Sequence, residues 1–217
     1  MEIGQTFESY ADRSTERQTD KNTTLYNRYT LLDGELESPR GIAVHPGVGR
    51  MFWTDWDRHG PKIEAANMDG TDRMTLVGRD LGEPNSLAVD HFMYEVCWAD
   101  AGSSSRGIRA RIDCVGVNGG GRRTIIELSE GEIPYGITIT ENNILWTDWK
   151  KNQVQSADKM SGIRQPAVPY ALSHLGKPYD LVNVPEECPN LSNTCQGEPC
   201  GPGRLCLPDG KGSHTCK

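Results

Sequence analysis

No run in the sequence approaches the roughly 18 apolar residues that a membrane-spanning helix requires, and the first residues, Met1 to Tyr10, lack the apolar core of a secretory leader. Apolar material is scarce throughout: 35% of residues are hydrophobic and 7% aromatic, and few stretches repeat apolar residues at helical spacing. With 24 glycines and 13 prolines, that scarcity points to a turn-rich β protein. Positive charge is short as well. A formal net charge of −7, with arginines scattered singly or in pairs, lacks the concentrated basic surface that nucleic acid demands. The five histidines (His45, His59, His91, His174, His214) fall at turns or in the tail, with neither ligand spacing nor a serine partner. They read as exposed turn residues, so no catalytic triad or metal site is expected. Gly116 to Gly121 opens no helix and reads as a hairpin turn, not a phosphate loop, so no cofactor is implied.

What is abundant is cysteine at one end. Five of seven (Cys188, Cys195, Cys200, Cys206, Cys216) crowd into the last thirty residues, the density of a small disulfide module made in an oxidising compartment. Zinc fits poorly, since Cys-x2-Cys is missing and His214 is the one histidine nearby. Asn22 and Asn190 each head a glycosylation sequon. A secreted chain that starts without a leader is expected to be a fragment.

The chain is organised by a repeat. A proline followed by a short apolar strand recurs at Pro39, Pro84, Pro134 and Pro178, spaced by 45, 50 and 44 residues. About a dozen residues later comes an aromatic strand: Met51-Phe52-Trp53-Thr54-Asp55-Trp56, Val96-Cys97-Trp98-Ala99-Asp100 and Leu145-Trp146-Thr147-Asp148-Trp149. An alternating strand (Lys62 to Asn67), an Asp69-Gly70 turn and a strand at Arg73 to Val77 complete the unit, because Asp-Gly supplies the positive φ of a tight hairpin turn. Four short strands per 45 residues cannot bury their own face, which is the sequence form of a propeller blade. All five tryptophans lie in the aromatic strands, where they are expected to fill the space between blades, with Asp55, Asp100 and Asp148 bonding backbone groups. An acid repeated in every blade is a structural device before it is a catalyst. Cys97 and Cys114, seventeen residues apart on adjacent strands of one blade, are expected to form a disulfide.

The aromatic-Trp-Thr-Asp strands and the Lys-Ile-Glu…Asn-Met-Asp-Gly segment resemble the YWTD repeats of the low-density lipoprotein receptor family, whose propellers have six blades. Leu81-Gly82-Glu83-Pro84-Asn85-Ser86-Leu87, the Cys97/Cys114 pair and Glu187-Cys188-Pro189 resemble the nidogens in particular. The resemblance implies an all-β fold of about three blades over residues 26–187. An outer strand (Tyr26 to Leu32) precedes the blades and an inner strand (Tyr179 to Val184) trails them. A truncated EGF-like module follows at 188–217, with Cys195–Cys206 and Cys200–Cys216 pairing. Residues 1–25, without apolar period, are expected to be disordered or unrelated. The resemblance also implies that the mouth of the central channel takes a protein ligand. The residue after each repeat proline, Arg40, Asn85, Tyr135 or Tyr179, should stand there, Asn85 matching the asparagine of the family's Pro-Asn-Gly-Leu recognition segment. The same four positions also suit residues that only shape turns. For a nidogen the implied partner is an EGF-like module of the laminin γ chain, with collagen IV or other matrix proteins reached through the longer protein, in basement membrane. An endocytic lipoprotein-type receptor and, more remotely, a metal-dependent propeller hydrolase are the alternatives.

Overall fold

The computed structural model describes residues 30–168, 176–184, 191–197, 199–200 and 204–217. Cys188, Asn22 and Asn190 lie outside them, as does residue range 1–29. Each repeat unit forms one antiparallel four-stranded sheet, its strands in sequence order. The first blade is β1 (Pro39–His45), β2 (Arg50–Asp55), β3 (Lys62–Asn67) and β4 (Met74–Val77). The second is β5 (Pro84–Asp90), β6 (Glu95–Asp100), β7 (Arg111–Gly116) and β8 (Arg123–Glu127). The third is β9 (Pro134–Ile139), β10 (Asn143–Asp148), β11 (Gln153–Asp158) and β12 (Arg164–Val168). A small hairpin, β13 (Cys206–Pro208) with β14 (His214–Cys216), stands at the C-terminal end.

Strand alternation turns these sheets into a stack. Val96 and Trp98 of β6 face the first blade, joining Phe52, Ile63, Ala65, Leu76 and Val77 in one core. Their neighbours Cys97 and Ala99 face the third, packing with Ile112, Ile137, Ile144 and Trp146. The central blade is thus buried on both sides. Cys97 and Cys114 are directly opposed on β6 and β7 and joined by a disulfide. The innermost strands approach so closely that a Cβ on Gly41 would lie 2.8 Å from the Ser86 Cα, and one on Gly136 would lie 2.6 Å from the Asp180 Cα. At these two crossings only glycine fits, whereas the second blade carries Ser86 at the equivalent position.

Three expectations need correcting. Thr30 to Leu32 form no strand; Leu31 and Leu32 instead pack as irregular chain against Met51, Trp53 and Ala66. Tyr179 to Val184 run along β9 without joining its ladder, held by Asn183 N–H donating to Thr138 Oγ1 at 3.0 Å and Asn183 Nδ2 donating to the Ile139 carbonyl at 3.3 Å. Trp56 and Trp149 lie just past the ends of β2 and β10, so three tryptophans, not five, fill the blade interiors.

The C-terminal hairpin carries Cys195–Cys206 and Cys200–Cys216 disulfides, as an EGF-like module requires. It rests on the first blade. Thr215 Oγ1 donates to Asp69 Oδ2 at 2.7 Å, Lys211 pairs with Asp72 at 2.8 Å, and a Cβ on Gly49 would lie 2.7 Å from Gly210 N.

Candidate functional site

Because every blade begins at its repeat proline, the next residue of each opens on the same end of the stack. The structure links the four expected residues into a chain of contacts. Arg40 Nη1 donates to Asn85 Oδ1 at 2.7 Å, and Asn85 Nδ2 donates to the Pro134 carbonyl at 2.9 Å. Next to Pro134, Tyr135 stands 5.6 Å from Tyr179 between ring centroids, edge to face. Sequence reasoning missed three members of this surface. Trp149 stacks on Tyr135 at 4.2 Å and meets Tyr179 edge-on at 4.8 Å. Lys177 Nζ sits 5.2 Å above the Trp149 ring, and the Arg40 guanidinium 4.5 Å above Trp56. The signal was present in the tryptophan that follows the repeat aspartate in the first and third blades and is replaced by Ala101 in the second.

Asn85 differs from its expected role. It is 2% exposed, and its amide is engaged at both ends by the flanking blades. In the first blade the repeat threonine makes the comparable joint, Thr54 Oγ1 donating to the Asn85 carbonyl at 2.5 Å. The second blade has Ala99 at that position, and the Asn85 side chain spans the gap instead. Asn85 is a joint between blades beneath the mouth, which makes it a poor probe of ligand contact.

The repeat aspartates share one geometry. Asp55 accepts from the amides of Glu37 and Ser38 at 3.2 and 2.7 Å. Asp100 accepts from Gly82, Glu83 and Gly102 at 2.9, 2.9 and 2.8 Å, and Asp148 from Ile133, Lys150 and Lys151 at 3.3, 2.8 and 3.1 Å. Each carboxylate ties the segment entering a blade to the end of its second strand, and in the second and third blades it also holds the segment that follows that strand. Burial pushes the Asp100 carboxyl above the usual carboxylate range, and the three amides pull it back only in part.

A second repeated device was invisible as spacing alone. An arginine lies over each interior tryptophan ring: Arg73 over Trp53 at 5.5 Å, Arg122 over Trp98 at 5.1 Å and Arg164 over Trp146 at 5.6 Å. Each arginine also reaches the residue paired with that tryptophan on the neighbouring strand, respectively Glu64, Asp113 and Gln155. The positive charge is held on an aromatic face and partnered, so these arginines belong to the blades.

His45 contradicts its reading as an exposed turn residue. It is 0% exposed, stacked on Tyr94 at 5.2 Å and edge-on to His91 at 4.8 Å, and among the described residues neither ring nitrogen has a hydrogen-bond partner. Burial pushes the pKa of both histidines down; Asp90 opposes this at His91, but its carboxylate is already paired with Lys159 at 2.6 Å. A histidine kept neutral in the fold takes up its proton more readily when unfolded. Its contribution to stability is therefore lost as pH falls below about 6.5 toward the depressed folded values. The thermal midpoint is expected to fall between pH 7.5 and 5.5, and His45→Phe to flatten that fall. An unchanged slope in the variant would show that other groups control it.

The class of the chain follows from these features. Residues 49–91 match the low-density lipoprotein receptor repeat class B family, and the chain is a YWTD-type propeller segment with an EGF-like hairpin. Within that class it is nidogen-like. It is 39% identical to nidogen of Drosophila melanogaster over 86% of this chain and 17% of that protein. In a solved nidogen/laminin complex, a chain matches with a TM-score of 0.63 and 32% identity, over 72% of this chain and 56% of that one. The vitellogenin receptor of Solenopsis invicta is 30% identical over 86% of this chain and 10% of that receptor. The sequence thus spans a small part of the curated relatives it matches. A gluconolactonase of Xanthomonas campestris shares the fold alone, at a TM-score of 0.52 and 17% identity over 70% of this chain and 52% of that one.

Proposed function

We propose that the mouth bearing Arg40, Tyr135, Trp149, Lys177 and Tyr179 docks a protein ligand outside the cell, an EGF-like module of a laminin γ chain, and so ties laminin into basement membrane. Collagen IV or other matrix proteins would be reached through the longer protein. The observation that carries this reading is the stack of Tyr135, Trp149 and Tyr179, with Tyr179 61% exposed and Lys177 over the Trp149 ring, and with Arg40 held over Trp56 on the first blade. Rigid aromatic rings beside arginine are what concentrates binding energy at interfaces. The function is binding without catalysis, since the repeated acids are occupied by backbone amides.

Within the longer propeller, Tyr135→Ala or Tyr179→Ala is expected to cost about 2 kcal/mol, about 30-fold in affinity for a laminin γ-chain EGF-like module. Surface-based binding measures this, with circular dichroism as the folding control. Wild-type affinity in both variants would move the ligand to another face. The similarity to the vitellogenin receptor of Solenopsis invicta supports a second reading, a receptor propeller. Binding of vitellogenin in place of laminin would favour it.

A further inference from the structure

Away from the mouth, the second blade carries a cleft of 520 Å³ lined by Arg106, Arg109, Arg111, Arg122 and Arg123. Two clusters in sequence, Arg106 to Arg111 in the loop before β7 and at its start, and Arg122-Arg123 at the start of β8, are brought together by the pairing of those strands. Three acids share the cleft: Asp80, Asp113 and Glu127. With the Arg123 guanidinium paired to Glu95 outside the cleft, four positive groups against three negative leave a surplus of one in a chain whose net charge is −7. We propose that this cleft binds a sulfated polysaccharide.

The guanidinium groups of the cleft are held in different ways. Arg106 donates to the carbonyls of Leu81 and Arg58, and Arg111 to that of Asp80. A carbonyl fixes the orientation of a guanidinium without cancelling its charge. Asp113, 1% exposed, is shared between Arg111 at 3.1 Å and Arg122 at 2.7 Å, so one carboxylate serves two cations. Arg123 is turned away toward Glu95 and contributes its stem. Arg109 stands at the rim with its side chain 76% exposed, meeting Glu127, itself 59% exposed, at 3.1 Å. Arg106, Arg109 and Arg111 thus present oriented donors of the kind that grips oxyanions in pairs.

Two considerations select the anion. The volume lies in the range, about 300–1,000 Å³, of clefts that enclose a compact ligand unit, here a sugar residue or two. A surplus of one charge matches a single sulfate group of such a unit, whereas nucleic acid requires many phosphate contacts to overcome an acidic chain. The disulfides place the chain in an oxidising compartment, outside the cell or on the way there, where sulfated polysaccharides are the prevalent polyanions.

The experiment titrates the secreted chain with a heparin-derived hexasaccharide, following heat or fluorescence at low and at physiological salt. Arg109→Gln is expected to weaken binding about tenfold. Glu127→Gln, which removes the competing carboxylate, is expected to strengthen it about threefold. Both side chains are exposed and the two substitutions shift affinity in opposite directions, so loss of folding cannot imitate the pattern. Tyr135→Ala, at the mouth, should leave hexasaccharide affinity unchanged, so the laminin reading and this one fail separately. Absence of binding by the wild type, equal binding of desulfated hexasaccharide, preference for inositol hexakisphosphate, or indifference to both cleft variants would each overturn the proposal.

Discussion

Trp98→Ala is expected to destabilise the chain by about 3–5 kcal/mol, enough to unfold the central blade. Trp98 is 0% exposed and fills the first inter-blade core against residues of both sheets, including Phe52, Ile63, Leu87 and Val115. Removing the indole leaves a cavity between two sheets that cannot close over it, because the glycine crossing at Gly41 already sets their inner spacing. It also strips the platform from Arg122, whose guanidinium then remains beside buried Asp113 with one face unsupported. Trp56→Ala, past the end of its strand and half-buried at the mouth, is the contrast and should change stability by less than about 1 kcal/mol. Equilibrium denaturation of the two variants measures the difference. Similar small losses in both would mean that the blades are not held by their interior tryptophans.

The contrast between those two tryptophans marks what the sequence could reveal. Blade number, strand order and the Cys97–Cys114 pairing were legible because each rests on local signals: a repeat near 45 residues, period-two alternation and one hairpin register. Whether a tryptophan enters the core or the mouth depends on one residue of strand ending, and local pattern places strand ends poorly. His45 was misread for a related reason. Its position beside a Pro-Gly turn is local information, but its burial comes from His91 and Tyr94 on the next blade. Asn85 was legible as a special position and illegible in role, since the gap it spans exists only because Ala99 replaces the repeat threonine across a sheet. The arginine cleft was legible only as two short clusters, Arg106 to Arg111 and Arg122-Arg123, with nothing in the sequence to join them. They meet where the loop before β7 approaches the start of β8, and the carbonyls that orient them belong to Arg58, between β2 and β3, and to Asp80 and Leu81, between β4 and β5.

Asp100→Ala is expected to be the most damaging substitution of a polar residue, costing about 3 kcal/mol or more. The Asp100 carboxylate is 0% exposed and receives three backbone amides, from Gly82 and Glu83 ahead of β5 and from Gly102 after β6. Alanine would leave these N–H groups without acceptors, and each buried orphan costs about 1–3 kcal/mol. Gly82 cannot turn its amide elsewhere, because a Cβ there would lie 2.3 Å from the Gly102 carbonyl carbon and the two segments are already in contact. Part of the loss is offset, since burying the charge was itself unfavourable, as the raised pKa of this carboxyl records. Asp100→Asn keeps one carbonyl oxygen as acceptor and should fall between alanine and the wild type. Hydrogen exchange reads the mechanism directly: the amides of Gly82, Glu83 and Gly102 should lose protection together in the alanine variant, while those of β10 and β11 keep theirs. A uniform loss across all three blades would mean that Asp100 supports the stack as a whole, and unchanged protection at the three amides would sink the account of the repeat aspartate as a backbone clamp.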